Sequence, residues 1–184
     1  MAALTDSLFF AIYPDAAAAA RIAQLALGLN IEHGLTGKPA GTDRFHVTLH
    51  HLGAFAGLPE DIVARAKEAA SKVPMPPVDV TFDRVSSFPG RRNKKPFVLR
   101  SGADANAGAL HDFQQTLGIA LQTAGLAVKV NSRFTPHVTL LYDERHLGEQ
   151  RVEPIRWTAH EFVFVRSLLG RSQYVQLARW LSSA

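Results

Sequence analysis

The chain contains no cysteine, which excludes disulfides, thiolate catalysis and every zinc site built on sulfur. The start lacks the basic n-region and apolar h-region of a secretory signal, so a cytoplasmic location is expected. No apolar run is long enough for a bilayer: the most apolar stretch, Ala16 to Leu29, is interrupted by Arg21 and Gln24, and a span needs about 20 residues. No membrane association is expected. Neither sign of charge dominates. The formal net charge is +4 and the pI about 9.7, a mildly basic balance compatible with an anionic ligand but too weak to establish one. Hydrophobic residues make up 47% and charged residues 20% of the 184 positions. That is an ordinary globular composition, long enough for one domain or two intimate lobes.

What is present is a repeated tetrapeptide. His-Val-Thr-Leu occurs at His46–Leu49 and again at His137–Leu140, each time in a short apolar run that reads as a strand. Side chains on a strand alternate faces, so His and Thr of one copy project to the same side. Chance supplies roughly 0.4 His-x-Thr pairs in a chain with 8 histidines, so one copy alone would mean little. A single copy is better read as a packed strand histidine beside a threonine with high β-propensity. Two copies with identical apolar partners are not accounted for that way. Imidazole, with an unperturbed pKa of about 6.5, takes either protonation state near neutrality. Two of them flanking one phosphorus can run an in-line displacement, one accepting a proton and the other donating. The two hydroxyls can hold non-bridging oxygens. Metal is not expected, because His-x-Thr supplies one imidazole per strand and no third ligand can be nominated.

Strands are expected at Leu8–Tyr13, Phe45–Leu52, Val78–Phe82, Pro96–Leu99, the second motif, His160–Ser167 and Tyr174–Leu181. The 78–82 and 96–99 segments look like a hairpin pair, with a basic loop Arg91-Arg92-Asn93-Lys94-Lys95 between them. Helices are expected at 16–29 with Asp15 as N-cap, at 59–72 with Pro59 in its first turn, and at 107–124 ending at Gly125. The order is β-α-β-α-β-β-α-β-β-β. The motifs stand half a chain apart, each after a strand-helix unit, which suggests two similar halves facing each other across a pocket.

Paired His-x-Thr motifs, one near each half, resemble the two-histidine phosphoesterase superfamily. The surroundings are similar to its RNA 2′,3′-cyclic phosphodiesterase branch, historically named 2′-5′ RNA ligase. The segments that carry the resemblance are Leu8-Phe9-Phe10-Ala11-Ile12, Phe45 to His50 with Leu52-Gly53, Phe134 to Leu140, and the tail Val165 to Leu169 followed by Tyr174. They run from one end of the chain to the other. The resemblance implies one bilobal α+β domain over residues 1–184, with two pseudo-symmetric lobes of antiparallel sheet, helices outside and the groove between. It implies metal-independent and cofactor-free opening of a 2′,3′-cyclic phosphate to a 2′-phosphomonoester, with ATP-independent 2′-5′ joining as a reverse activity. The partner would be RNA with a 2′,3′-cyclic phosphate end or a small cyclic nucleotide. His46 and His137 would be the acid/base pair, His46 the acid and His137 the base, and Thr48 and Thr139 would bind phosphate. Two departures stand out: Tyr142 occupies a position where many members carry arginine, and His51 replaces a more usual aromatic.

Further candidates for substrate binding are His50, placed by parity on the face of His46 and Thr48, Phe134 as a stacking surface, Arg166 and Tyr174. Parity puts His51 on the opposite face. The basic loop can track an RNA backbone or simply be solvated. The competing reading of a different class is an RNA-binding module of the same fold without turnover; retention of both His and both Thr argues against it. A monomer is expected.

Overall fold

A computed structural model describes residues 3–90, 94–102, 108–130 and 134–183. Arg91, Arg92 and Asn93 of the basic loop lie outside the described residues. The architecture is α+β: β1 (Asp6–Ile12), α1 (Ala16–Glu32), β2 (Val47–Phe55), α2 (Glu60–Ala70), β3 (Val78–Ser87), β4 (Lys95–Arg100), α3 (Gly108–Thr123), β5 (His137–Asp143), β6 (Gln150–Ala159), β7 (Glu161–Leu168) and β8 (Gln173–Leu181). All eight strands belong to one sheet in the order β6-β3-β4-β5-β2-β1-β7-β8, with every neighbouring pair antiparallel.

Helix ends follow the sequence signals. The Asp15 carboxylate accepts the Ala18 N–H at 2.7 Å, satisfying one orphan donor of the first turn of α1. Gly125 takes φ +76 and closes α3 through Leu126 N–H to Leu121 C=O, 3.0 Å, and Gly125 N–H to Gln122 C=O, 2.8 Å, the paired bonds of a left-handed C-terminal cap. Ala18, Ala19, Ile22, Ala26 and Leu29 form the buried stripe of α1. They join Leu110, Phe113, Leu117 and Leu121 of α3, and Leu8, Phe10, Ile12, Val47 and Val138 of the sheet, in one core. The other face of the sheet carries a second, small apolar cluster of Phe9, Ala11, Val163 and Val165, flanked by Tyr13 and Tyr174.

Two expectations are corrected. Gln150–Ala159 is a strand where the sequence pattern predicts none. Its Pro154 and charged residues obscure the period-two pattern that buries Ile155, Trp157 and Ala159; the strand lies at the sheet edge, where proline is tolerated. Consequently Val78–Phe82 pairs with β6 rather than with β4. The hairpin partner of β4 is the later stretch Arg84–Ser87, because β3 runs ten residues and divides its length between two neighbours.

The halves β6-β3-β4-β5 and β2-β1-β7-β8 meet at a single residue pair, Val47 opposite Val138. These are the second residues of the two motifs. The strands part beyond that pair, and a cleft of about 600 Å³ opens between Thr48–Gly53 on one side and Phe134, Thr135 and His137 on the other. Gln114 of α3 also lines it.

Candidate active site

Antiparallel pairing centred on Val47 and Val138 sets His46 across from Thr139 and Thr48 across from His137. By register, each histidine is the cross-strand neighbour of the other motif's threonine. The two histidines lie on the diagonal, which spans about 7–8 Å in such a pair. The valines point into the core and the His and Thr side chains to the opposite face.

Both imidazoles are pinned identically. His46 Nδ1 donates to the Arg44 carbonyl at 2.7 Å, and His137 Nδ1 donates to the Thr135 carbonyl at 2.9 Å. A carbonyl only accepts, so the proton sits on Nδ1 and Nε2 is left free in both rings. Burial holds the His46 ring below the ordinary imidazole range; its bond to the Arg44 carbonyl opposes this, while the Arg44 and His137 charges add to it. Burial likewise lowers His137, against its bond to Thr135.

Their surroundings differ. His46 stacks on Phe9 at 5.0 Å between ring centroids and meets Tyr174 edge-on at 5.5 Å, with Tyr13 at 6.0 Å. The Arg44 guanidinium lies 3.8 Å over the Tyr174 ring. Burial raises the Tyr13 hydroxyl to about 12, so it is protonated and a donor. His137 instead packs edge-on against Phe88 at 4.8 Å. Directly across β4·β5 from it stands Arg100, whose guanidinium is engaged by Ser86 at 3.1 Å, by the Ser101 carbonyl at 3.0 Å and by Glu149. Lys94 lies 5.4 Å over the Tyr142 ring.

Tyr174 and Phe134 are thus placed beside the motifs, Tyr174 against His46 and Phe134 on the cleft wall next to His137. The parity assigned to His50 and His51 is reversed. Phe10 lies opposite His50 while Ala11 lies opposite Thr48, so Leu49 is an extra, bulged residue. Opposed residues share a face. His50 therefore joins Phe10 on the helix side, where its Nε2 donates to the Gln114 carbonyl at 2.7 Å. A Cβ on Gly118 would come within 2.7 Å of that ring, so glycine in mid-helix makes room for it. His51 shares the face of Phe9, and its ring hydrogen-bonds Ser7 Oγ at 2.8 Å. Arg166 stands opposite Leu8, on the face away from His46, in an ion pair with buried Asp6. It is not brought to the motifs.

Sequence reasoning passed over Arg44, Phe88 and Gln114. Arg44 was findable from its nearness to the first motif alone, since it ends the short 3-10 turn Thr42–Arg44 just before His46. Phe88 and Gln114 come from distant segments and carry no local signal. Among the described residues, no three of His, Asp and Glu converge in a metal-like group, and no helix is long and apolar enough to cross a membrane.

The model of the 2′-5′ RNA ligase superfamily matches residues 13–171, a span that contains both motifs. The chain belongs to this superfamily. Solved structures share the fold: E. coli LigT, crystallised with 3′-AMP, superposes with a TM-score of 0.67 at 21% identity, over 99% of this chain and 100% of that one. TT0787 of Thermus thermophilus gives 0.72 at 18% identity, over 95% and 97%. A protein described as a phosphoesterase gives 0.70 at 21%, over 97% and 99%. No curated protein sequence matches the chain.

Proposed function

We propose that this superfamily member is a phosphoesterase that opens 2′,3′-cyclic phosphodiesters, at RNA ends or in small cyclic nucleotides, to 2′-phosphomonoesters. The observation that carries the reading is the matched pair of imidazoles, each held by a carbonyl on Nδ1 so that Nε2 remains for chemistry, on motifs set side by side through Val47 and Val138. The crystallisation of E. coli LigT with 3′-AMP, ATP, NADP+ and phosphate agrees with a nucleotide-sized, anion-accepting groove.

In the proposed reaction, neutral His137 takes a proton from water at Nε2 while the water oxygen bonds to phosphorus. The P–O3′ bond breaks opposite the incoming oxygen. Protonated His46 gives its Nε2 proton to O3′, leaving a 3′-hydroxyl and a 2′-phosphate. Each positioned proton transfer contributes about 10²- to 10⁴-fold. Thr48 and Thr139 hold the non-bridging oxygens. Arg44, beside His46 and within reach of Tyr142, supplies the cation that favours the anionic phosphate. An anion bound between the rings also raises both imidazoles, so one becomes the acid once substrate arrives. The same groove run backwards would join ends through a 2′-5′ linkage without ATP.

The test is incubation of EDTA-treated protein with 2′,3′-cyclic-phosphate-ended RNA and with 2′,3′-cyclic mononucleotides, followed by identification of the product isomer. A 2′-phosphate, lost in His46→Ala and in His137→Ala, is the expected result. RNA binding with no product from either substrate would leave the non-catalytic binding module as the correct reading.

A further inference from the structure

One row of residues crosses the open face of the second half without a part in the proposed chemistry. Arg100 stands directly opposite His137 across β4·β5, Arg84 opposite Arg100 across β3·β4, and Arg151 opposite Arg84 across β3·β6. Directly opposed residues share a face. The adjoining row of Val138, Leu99 and Val85 is buried in the core, so the three arginines lie on the face of His137. Neighbouring strands are about 4.8 Å apart, which sets the three backbones roughly 5, 10 and 14 Å from that of His137. Like charges directly opposite destabilise a sheet, and two such pairs in succession work against the sheet that carries them. On the first half the same row runs from Thr48 through Ala11 and Val163, both buried, before it reaches Arg179, which is paired with Glu161. Next to the motifs, therefore, the row is positive on one side only.

Two carboxylates touch the row. Asp83 holds Arg84 at 2.6 Å and is itself fixed by the Gly102 N–H at 2.9 Å. Glu149 is exposed; it reaches Arg84 at 3.6 Å and binds Arg100. Arg100 is also pinned by Ser86 Oγ and the Ser101 carbonyl, so its guanidinium keeps its place when Glu149 leaves. Arg151 is exposed and in no ion pair among the described residues. Three guanidiniums against two carboxylates leave a positive balance, and one of those carboxylates is free to swing away. We propose that Arg100, Arg84 and Arg151 form a track for the phosphodiester backbone of an RNA whose terminal phosphate lies at His137. The first upstream phosphate takes the place of Glu149 on Arg100, and the next meets Arg151. Guanidinium suits both contacts, since its fork of donors matches phosphate oxygens. Arg84, 8% exposed, adds charge between them. The inference rests on the phosphoesterase reading for the position of the terminal phosphate, and it commits the RNA to leave the groove across the second half of the sheet.

The probes are an RNA tetranucleotide ending in a 2′-phosphate and the mononucleotide 2′-phosphate of its last residue. Both are titrated calorimetrically into the protein at rising salt. The tetranucleotide should bind about tenfold tighter at low salt. Each phosphate neutralised on a single strand steepens the logarithmic salt slope by about 0.7, so its slope should exceed the mononucleotide's by about 1.4. Arg151→Ala, at an exposed position, should remove about half of that excess and weaken the tetranucleotide about threefold more than the mononucleotide. Glu149→Gln takes away the competing carboxylate and should tighten the tetranucleotide about threefold more than the mononucleotide. Equal affinities and slopes for the two ligands in the unaltered protein, or no binding of either at millimolar concentration, would overturn the track. So would an excess slope that Arg151→Ala leaves untouched. The first comparison needs no variant, so it stands whatever a substitution does to folding. Failure of the track separates from failure of the proposed activity. Tight, salt-dependent binding of the tetranucleotide, with no product from its 2′,3′-cyclic-phosphate form, would uphold the track and remove the phosphodiesterase reading. Hydrolysis of that form and of the cyclic mononucleotide with equal kcat/KM at low salt would do the reverse.

Discussion

The two halves of the sheet present the same four residues in different company. In the first, His46 sits among Phe9, Tyr13 and Tyr174 with Arg44 over the Tyr174 ring. In the second, His137 has one aromatic neighbour, Phe88, and opens on a cleft; the arginine opposite it is taken up by Glu149 and Ser86. Both rings keep the same bond from Nδ1 to the carbonyl two residues back. The local geometry is shared and the surroundings are not: an arginine lies within the aromatic cluster of His46, and open space lies beside His137.

The harshest way to break the comparison is to remove either ring. His46→Ala and His137→Ala should each lower kcat by roughly 10²-fold or more, with the double variant falling short of the product of the two. A substrate with an intrinsically good 3′ leaving group needs no acid, so it should rescue His46→Ala and not His137→Ala. The opposite pattern would exchange the two roles.

Next in size are the hydroxyls. Thr48→Ala and Thr139→Ala should cost about 1–3 kcal/mol each in kcat/KM. A loss confined to one of the two would show that only one motif's hydroxyl holds the phosphate.

Arg44→Met sharpens the electrostatic difference. Loss of the cation should reduce kcat/KM about tenfold and should also change the pH profile. Both free-enzyme imidazoles lie below the ordinary value, so the singly protonated pair peaks on the acid side of the usual imidazole range, and kcat/KM falls as pH rises past it. The Arg44 charge lowers His46, the ring it stands beside. In Arg44→Met one limb should move to higher pH while the other stays. A profile that shifts as a whole, or not at all, would contradict the assignment. Tyr142→Phe should have the smallest effect, a few-fold at most, read as a rise in KM.

Much of this was legible in the chain because the signals are local. The Asp15 cap, the Gly125 stop and the alanine stripe of α1 are decided within a few residues, and so was the likeness of the two motifs. Edge strand β6 was not legible, since proline and charge mask a pattern that only pairing with β3 makes useful. Parity failed at Leu49 for a related reason. A bulge is settled by the neighbouring strand, and β1 aligns Phe10 with His50 and Ala11 with Thr48.

By itself, then, the sequence determined the fold class, the positions of the three helices and the two His-x-Thr pairs. Each of those depends on short-range periodicity or on residue identity. Only the tertiary structure decided that Val47 meets Val138, and with it that the two motifs lie side by side. It alone turned His50 into the core, tied Arg166 to Asp6 and set Arg44 beside His46. Those relations join residues brought together by strand register and helix packing, which no local pattern encodes.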